Sequence, residues 1–204
     1  HMRNGVTFLN PDSCIVECNV QIDRDTVIYP STILEGNTKI GKNCEIGPGS
    51  KITDTVIGSN VTVLNSVTIE SIIGDNTKVG PFAYLRPGSQ IGRNVRIGDF
   101  VEIKKSVIGD DTKISHLTYV GDADVGRNVN IGCGVVFVNY DGQKKHRTIV
   151  GDNCFIGCNV NLVAPVEVKA DSYIAAGSTI TEEVPEYALA IARCRQTIKN
   201  DWVI

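Results

Sequence analysis

Aliphatic side chains recur at every sixth position through most of this chain, with polar residues between them. Grouped in threes, the series runs Ile22, Ile28, Leu34; Ile40, Ile46, Ile52; Ile57, Val63, Ile69; Ile73, Val79, Leu85; Ile91, Ile97, Ile103; Ile108, Ile114, Val120; Val125, Ile131, Phe137; Val150, Ile156, Leu162; Val168, Ile174, Ile180. Glycine often follows these markers, as at Gly41, Gly98 and Gly132, where a tight corner needs an unhindered backbone. A six-residue period with glycine predicts a parallel β-helix. Each unit is one short strand and a corner, and three units close one triangular coil. The predicted class is therefore all-β, a solenoid of about nine coils over residues 20–182. An entry segment precedes it at 3–19, in which Pro11-Asp12-Ser13 marks a helix start. An irregular tail follows at 183–204, where the period is lost, and it is expected to pack against a neighbouring subunit.

The rhythm breaks once on a large scale. Phe137 and Val150 are thirteen residues apart, which predicts an inserted loop over 138–149 with an Asp141-Gly142 turn. A loop thrust from a regular solenoid is a usual place for binding chemistry. Its basic run, Lys144 to Arg147, is too short for a nucleic-acid stripe but suits one phosphate.

Composition fits this picture. Hydrophobic residues make up 42% of the 204, yet aromatics only 6%, as expected of a narrow core filled by stacked aliphatic side chains. The formal net charge of −3 gives no basic face, so nucleic acid is not an expected partner. No apolar run approaches the roughly 20 residues that span a bilayer, and no signal peptide is visible. The seven cysteines are odd in number and scattered, which argues against a disulfide framework and for reduced thiols in a cytoplasm. Cys14/Cys18 and Cys154/Cys158 are four apart with no histidine nearby, so no metal site is expected. His1-Met2 reads as the remnant of an expression tag.

The period also predicts neighbours, because equivalent positions on successive coils lie about 4.8 Å apart. Arg86 and Lys104 each follow a marker and should stack; two stacked cations are tolerated best with an anion between them. A solvated pair is the alternative. A second column holds Asp99, His116, Cys133, Cys158 and Ala176, each two residues beyond the middle marker of its coil. A carboxylate then lies below the imidazole and a track of small side chains above it, able to admit a thin chain such as a pantetheine arm.

Several runs carry a family resemblance: Pro81-Phe82-Ala83-Tyr84-Leu85-Arg86-Pro87-Gly88, Gly98-Asp99-Phe100-Val101-Glu102-Ile103-Lys104-Lys105, His116-Leu117-Thr118-Tyr119-Val120-Gly121-Asp122, Asn139-Tyr140-Asp141-Gly142, Leu162-Val163-Ala164-Pro165-Val166 and Ala188-Leu189-Ala190-Ile191-Ala192-Arg193. From Arg3 to Trp202 the chain resembles the acetyltransferase half of the bacterial bifunctional N-acetylglucosamine-1-phosphate uridyltransferase/glucosamine-1-phosphate acetyltransferases. The resemblance implies a left-handed parallel β-helix and a cytoplasmic homotrimer with active sites between subunits. It implies transfer of acetyl from acetyl-CoA to the amine of glucosamine 1-phosphate, for UDP-N-acetylglucosamine and cell-envelope precursors, with no metal needed.

Carried over residue by residue, the resemblance makes His116 the general base, a group suited to taking a proton from an amine near neutrality. Arg86, Lys104, Tyr119, Asn130 and Lys145 match sugar-phosphate contacts. Asn139 and Tyr140 match the loop that meets the acetyl group. Cys133, Cys158, Ala176 and Arg193 match coenzyme A contacts, with Arg193 placed for a phosphate. Cys133 and Cys158 depart from the smaller residues usual there, and Asp99 matches no family catalytic residue. The uridyltransferase signature GGxGTRM appears nowhere, so that half is expected to be absent, either cut away, as the abrupt start at Arg3-Asn4-Gly5-Val6 after the tag remnant hints, or never encoded. Another hexapeptide acyltransferase acting on a different amino sugar, or a non-catalytic sugar-phosphate-binding solenoid, remains open as an alternative. A β-helical carbonic anhydrase would need three imidazoles, and only His116 and His146 remain beside the tag.

Overall fold

A computed structural model describes residues 1–203. Among them are 30 strands of two to four residues in three sheets of 11, 10 and 9 strands, visited in rotation up to Thr179–Ile180, after which the last strand skips the third sheet and joins the first. Every strand pairing is parallel, and each strand pairs with the equivalent strand one turn away. The first face runs from Thr7–Phe8 to Leu189–Ala190, the second from Ile15–Val16 to Thr179–Ile180, and the third from Gln21–Ile22 to Val166–Val168. No helix among the described residues is long and apolar enough to cross a membrane.

The solenoid has about ten turns rather than nine, because it extends past both expected ends. Thr7–Phe8 and Ile15–Val16, in the entry segment, already pair with the strands above them. In the tail, Leu189–Ala190 adds a last strand to Tyr173–Ile174. The Pro11–Ser13 helix start is a single 3-10 turn between the first two strands.

All markers but one point inward and are buried. The exception is Ile69. Thr68 takes the core position instead, in register with Ile52 below and Leu85 above, and is fully buried. Its hydroxyl meets the hydroxyl of Thr55 at 3.3 Å, which lets a polar residue occupy the stack. Hydrophobicity alone misassigned the register by one residue there.

Two residues before most markers lies a second inward position that the six-residue count did not reveal. It holds small or β-branched residues such as Thr26, Val61, Ser106, Thr112 and Val160. Their hydroxyls bond carbonyls at the corners, as Thr26 does to Gly41 and Thr112 to Gly126. Corner carbonyls that would otherwise be buried without partners are thus satisfied. Asn43, Asn60, Asn94 and Asn128 occupy one corner column with positive φ, a conformation asparagine accepts more readily than most residues.

Candidate active site

The inserted loop is shorter than the sequence implies. Val136–Val138 and Thr148–Val150 are strands, so the loop proper is residues 139–147. Arg147 latches its far end, donating to both oxygens of Asp124 and to the carbonyls of Lys105 and Ala123. Asp141 organises its tip, accepting from the backbone N–H groups of Gln143 and Lys144 at 2.7 Å each and facing His146 at 2.6 Å.

Those contacts, led by the Lys144 N–H, hold the Asp141 carboxyl down to about 2 from an ordinary 3.8. A lowered carboxyl stabilises the folded loop above its ordinary value and loses that contribution as pH falls through the lowered one. Amide-exchange protection factors of Gln143 and Lys144 are therefore expected to be constant down to about pH 4 and to collapse between there and pH 2. Equal protection at pH 5 and pH 2 would contradict this.

Folded back, the loop covers one edge of the second face. Lys104, at the end of Glu102–Lys104, is 7% exposed although it is charged. It pairs with Asp122 at 3.0 Å, and Asp122 also accepts from the Asn139 amide. Asn139 in turn lies 3.3 Å from the Tyr119 hydroxyl. Gly121 is required in this nest, since a Cβ there would sit 2.3 Å from that hydroxyl. Burial tends to raise the Asp122 carboxyl, yet Lys104, Asn139 and Lys145 hold it below its ordinary value.

The stacked cations of the sequence reading are adjacent as expected, each with its own carboxylate: Arg86 meets Glu102 at 2.7 Å. Lys145 approaches from the loop as a third cation. Paired with Asp122, Lys104 holds its proton more firmly than an ordinary lysine. Lys145, facing Lys104 and in the field of Arg86, holds its own less firmly. Three cations against two carboxylates leave one positive charge for an incoming anion.

His116 ends Lys113–His116, a strand of the first face, at the corner where the chain turns onto the second face opposite the cations. Its ring is largely solvent-exposed, and its Nδ1 lies 2.6 Å from Asp99 Oδ1. The ladder bonds Asn159 N–H to Cys133 O and Gly177 N–H to Cys158 O continue this column upward as the register required. Cys133 is half-buried and Cys158 exposed. Arg193, in the tail, brings its side chain beside Gly177, next to Ala176, so it does reach the small-residue track.

Two residues lie apart from these groupings. Asn130 is on the outward side of the first face, between Lys113 and Phe155, and makes no recorded contact with the cations. Tyr140 is exposed and turns its hydroxyl to the carbonyl of Gly142. Sequence reasoning missed Asp122 and Arg147. The count puts Asp122 in one column with Lys105 and Asn139, so its contact with Asn139 was findable, but its pairing with Lys104, which stands level with Gly121, was not. Arg147 gave no such signal, because the loop interrupts the register.

A cavity of about 610 Å³ opens beside the first turn, between Arg3, Phe8, Cys14 and Val16. It is remote from His116 and holds no grouping of acid and base. Among the described residues no cluster of His, Cys, Asp and Glu could hold a metal ion.

Comparison with known proteins agrees with this architecture. The chain is 71% identical over its whole length to the bifunctional protein GlmU of Acetivibrio thermocellus and 59% identical to that of Clostridium kluyveri. It spans only 44% of the length of either relative. Solved structures of similar fold include a UDP-N-acetylglucosamine acyltransferase from Bacteroides fragilis, with TM-score 0.69 and 19% identity over 89% of this chain and 70% of that one. Another, from Francisella novicida, gives 0.62 and 20% over 88% and 65%. The model of the family described as bacterial transferase hexapeptide (six repeats) matches residues 19–54, 37–71, 70–105 and 147–182. The chain belongs to the bacterial transferase hexapeptide family.

Proposed function

We propose that the chain is a glucosamine-1-phosphate N-acetyltransferase, moving acetyl from acetyl-CoA to the sugar amine to give N-acetylglucosamine 1-phosphate. One observation carries the reading: an imidazole stands at the corner where the first face turns into the second, a three-cation cluster stands at the far edge of that second face, and Tyr119 lies on it between them. A sugar lying over Tyr119 turns its phosphate to Arg86, Lys104 and Lys145 and its amine to His116. The high identity to bifunctional proteins supports the reading, in which this chain supplies one of two activities.

In the reaction the neutral amine attacks the thioester carbonyl. The C–N bond forms, a tetrahedral oxyanion collapses, and the C–S bond breaks to release coenzyme A. His116 takes the amine proton and can return it to the departing sulfur. A backbone N–H of the Asn139–Tyr140 stretch would meet the oxyanion, a contribution of about 3 kcal/mol. The coenzyme's pantetheine arm follows Cys133, Cys158 and Ala176, and Arg193 meets one of its phosphates. Asn130 joins the sugar site only from outside the cluster of its own chain. A cytoplasmic homotrimer is part of this reading. Exposed Val56, Ile72, Val107 and Ile149 on the third face, and Ile191, Ile198 and Trp202 in the tail, are apolar surface that a neighbouring copy would bury.

The test is release of coenzyme A from acetyl-CoA in the presence of glucosamine 1-phosphate. Coenzyme A is measured chromatographically, because exposed Cys18, Cys158 and Cys194 would themselves react with a thiol dye. The expected result is one coenzyme A per N-acetylglucosamine 1-phosphate, with UDP-linked amino sugars inert. Binding without turnover, or turnover of UDP-linked sugars alone, would overturn the proposal.

A further inference from the structure

We propose that Asp99 is a positioning residue for His116, fixing the imidazole so that Nδ1 carries the proton and Nε2 offers its lone pair to the substrate amine. The inference deepens the acetyltransferase reading and rests on it for its catalytic consequence. An ionised carboxylate can only accept a hydrogen bond, so the 2.6 Å contact requires Nδ1 to be the donor. In neutral imidazole the other nitrogen is then unprotonated, the form a general base needs.

The contact is built by the backbone. Most paired strands in this solenoid are two or three residues long, whereas Arg96–Asp99 and Lys113–His116 are four each. The extra length brings Asp99 and His116 into direct register beyond the Ile97–Ile114 pair. Gly98 makes that extension feasible, because a Cβ at this position would fall 1.9 Å from the carbonyl oxygen of Ser115. The short aspartate side chain therefore starts from a fixed point beneath the ring.

Stability gives no reason for such a device. Both side chains remain well exposed, at 55% for His116 and 38% for Asp99, and exposed pairs of this kind contribute little to folding. The hydrogen bond from His116 also keeps the Asp99 carboxyl below its ordinary value, so the acceptor stays ionised. Orientation of the ring is the remaining role, the one carboxylates play behind histidines in hydrolases and metal sites.

The experiment reads the imidazole nitrogen resonances of His116 by 15N NMR in the wild-type chain and in Asp99→Ala, with His116→Gln as the assignment control. The expected result is the Nδ1–H tautomer in the wild type and a shift towards Nε2–H in Asp99→Ala. In parallel, Asp99→Ala should lower kcat for acetyl transfer about 10- to 100-fold with both KM values within about twofold, and Asp99→Asn, whose amide oxygen still accepts, should recover much of the loss. The same tautomer in wild type and Asp99→Ala would overturn the proposal, as would an unchanged kcat in an active enzyme. Because the tautomer is read without substrates, it decides the role of Asp99 even for a chain that transfers no acetyl group.

Discussion

His116→Ala is expected to abolish most acetyl transfer, lowering kcat about a hundred- to ten-thousand-fold, the usual contribution of a positioned general base. The argument is chemical first. A sugar amine attacking a thioester must lose a proton as the C–N bond forms, and the imidazole is the one basic ring in its column, with the Asp99 carboxylate bound to it below and the thiols of Cys133 and Cys158 above. It is structural second. The ring is exposed at a corner and packs into no core, so its removal should leave strand pairing, thermal unfolding and oligomeric state as they were. KM for glucosamine 1-phosphate should stay within about twofold, since the phosphate is assigned to cations on the opposite edge. Steady-state kinetics on the variant checks both parts. Full activity in a folded variant would refute the assignment of the base, and a collapsed KM would mean the two edges are not independent.

Much of this fold was legible because a solenoid makes local sequence report global register. The spacing of Ile97 and Ile114 suffices to put Asp99 under His116, and the spacing of Leu85 and Ile103 stacks Arg86 with Lys104. The count failed where packing and hydrophobicity disagreed: at Thr68, a satisfied hydroxyl holds the place expected of Ile69. It failed at the ends, where Thr7–Phe8 and Leu189–Ala190 pair without the six-residue beat, because an edge strand needs only backbone partners. Within the site, residues on the solenoid were placed by the count, but those bound through the loop were not. Lys145 reaches Lys104 only because Arg147 and Asp141 fold the insertion back, and those contacts have no periodicity to announce them.

The buried pair beneath the loop supplies the other large effect. Asp122→Ala should destabilise the chain by about 3 kcal/mol, the low end for breaking a buried ion pair since its side chains retain 9% and 16% exposure. For a domain of this size that corresponds to a fall in Tm of about 6–12 °C. The cost lies in what remains: a nearly buried ammonium on Lys104 and an Asn139 amide left with only its long 3.3 Å bond to the Tyr119 hydroxyl. With Asp122 gone, Lys104 and Lys145 face each other with less opposing charge, so the loop should swing outward to separate them. That movement takes Lys145 from the phosphate and Asn139 from Tyr119 together, so KM for glucosamine 1-phosphate should rise about tenfold or more while KM for acetyl-CoA changes little. Asp122→Asn keeps an acceptor for both donors but loses the charge, and should fall between wild type and alanine in Tm and in KM. Calorimetry with a two-substrate KM comparison checks the series. A variant that unfolds earlier yet binds the sugar phosphate normally would show that the pair supports the fold alone and that the loop orders itself through Arg147 without it.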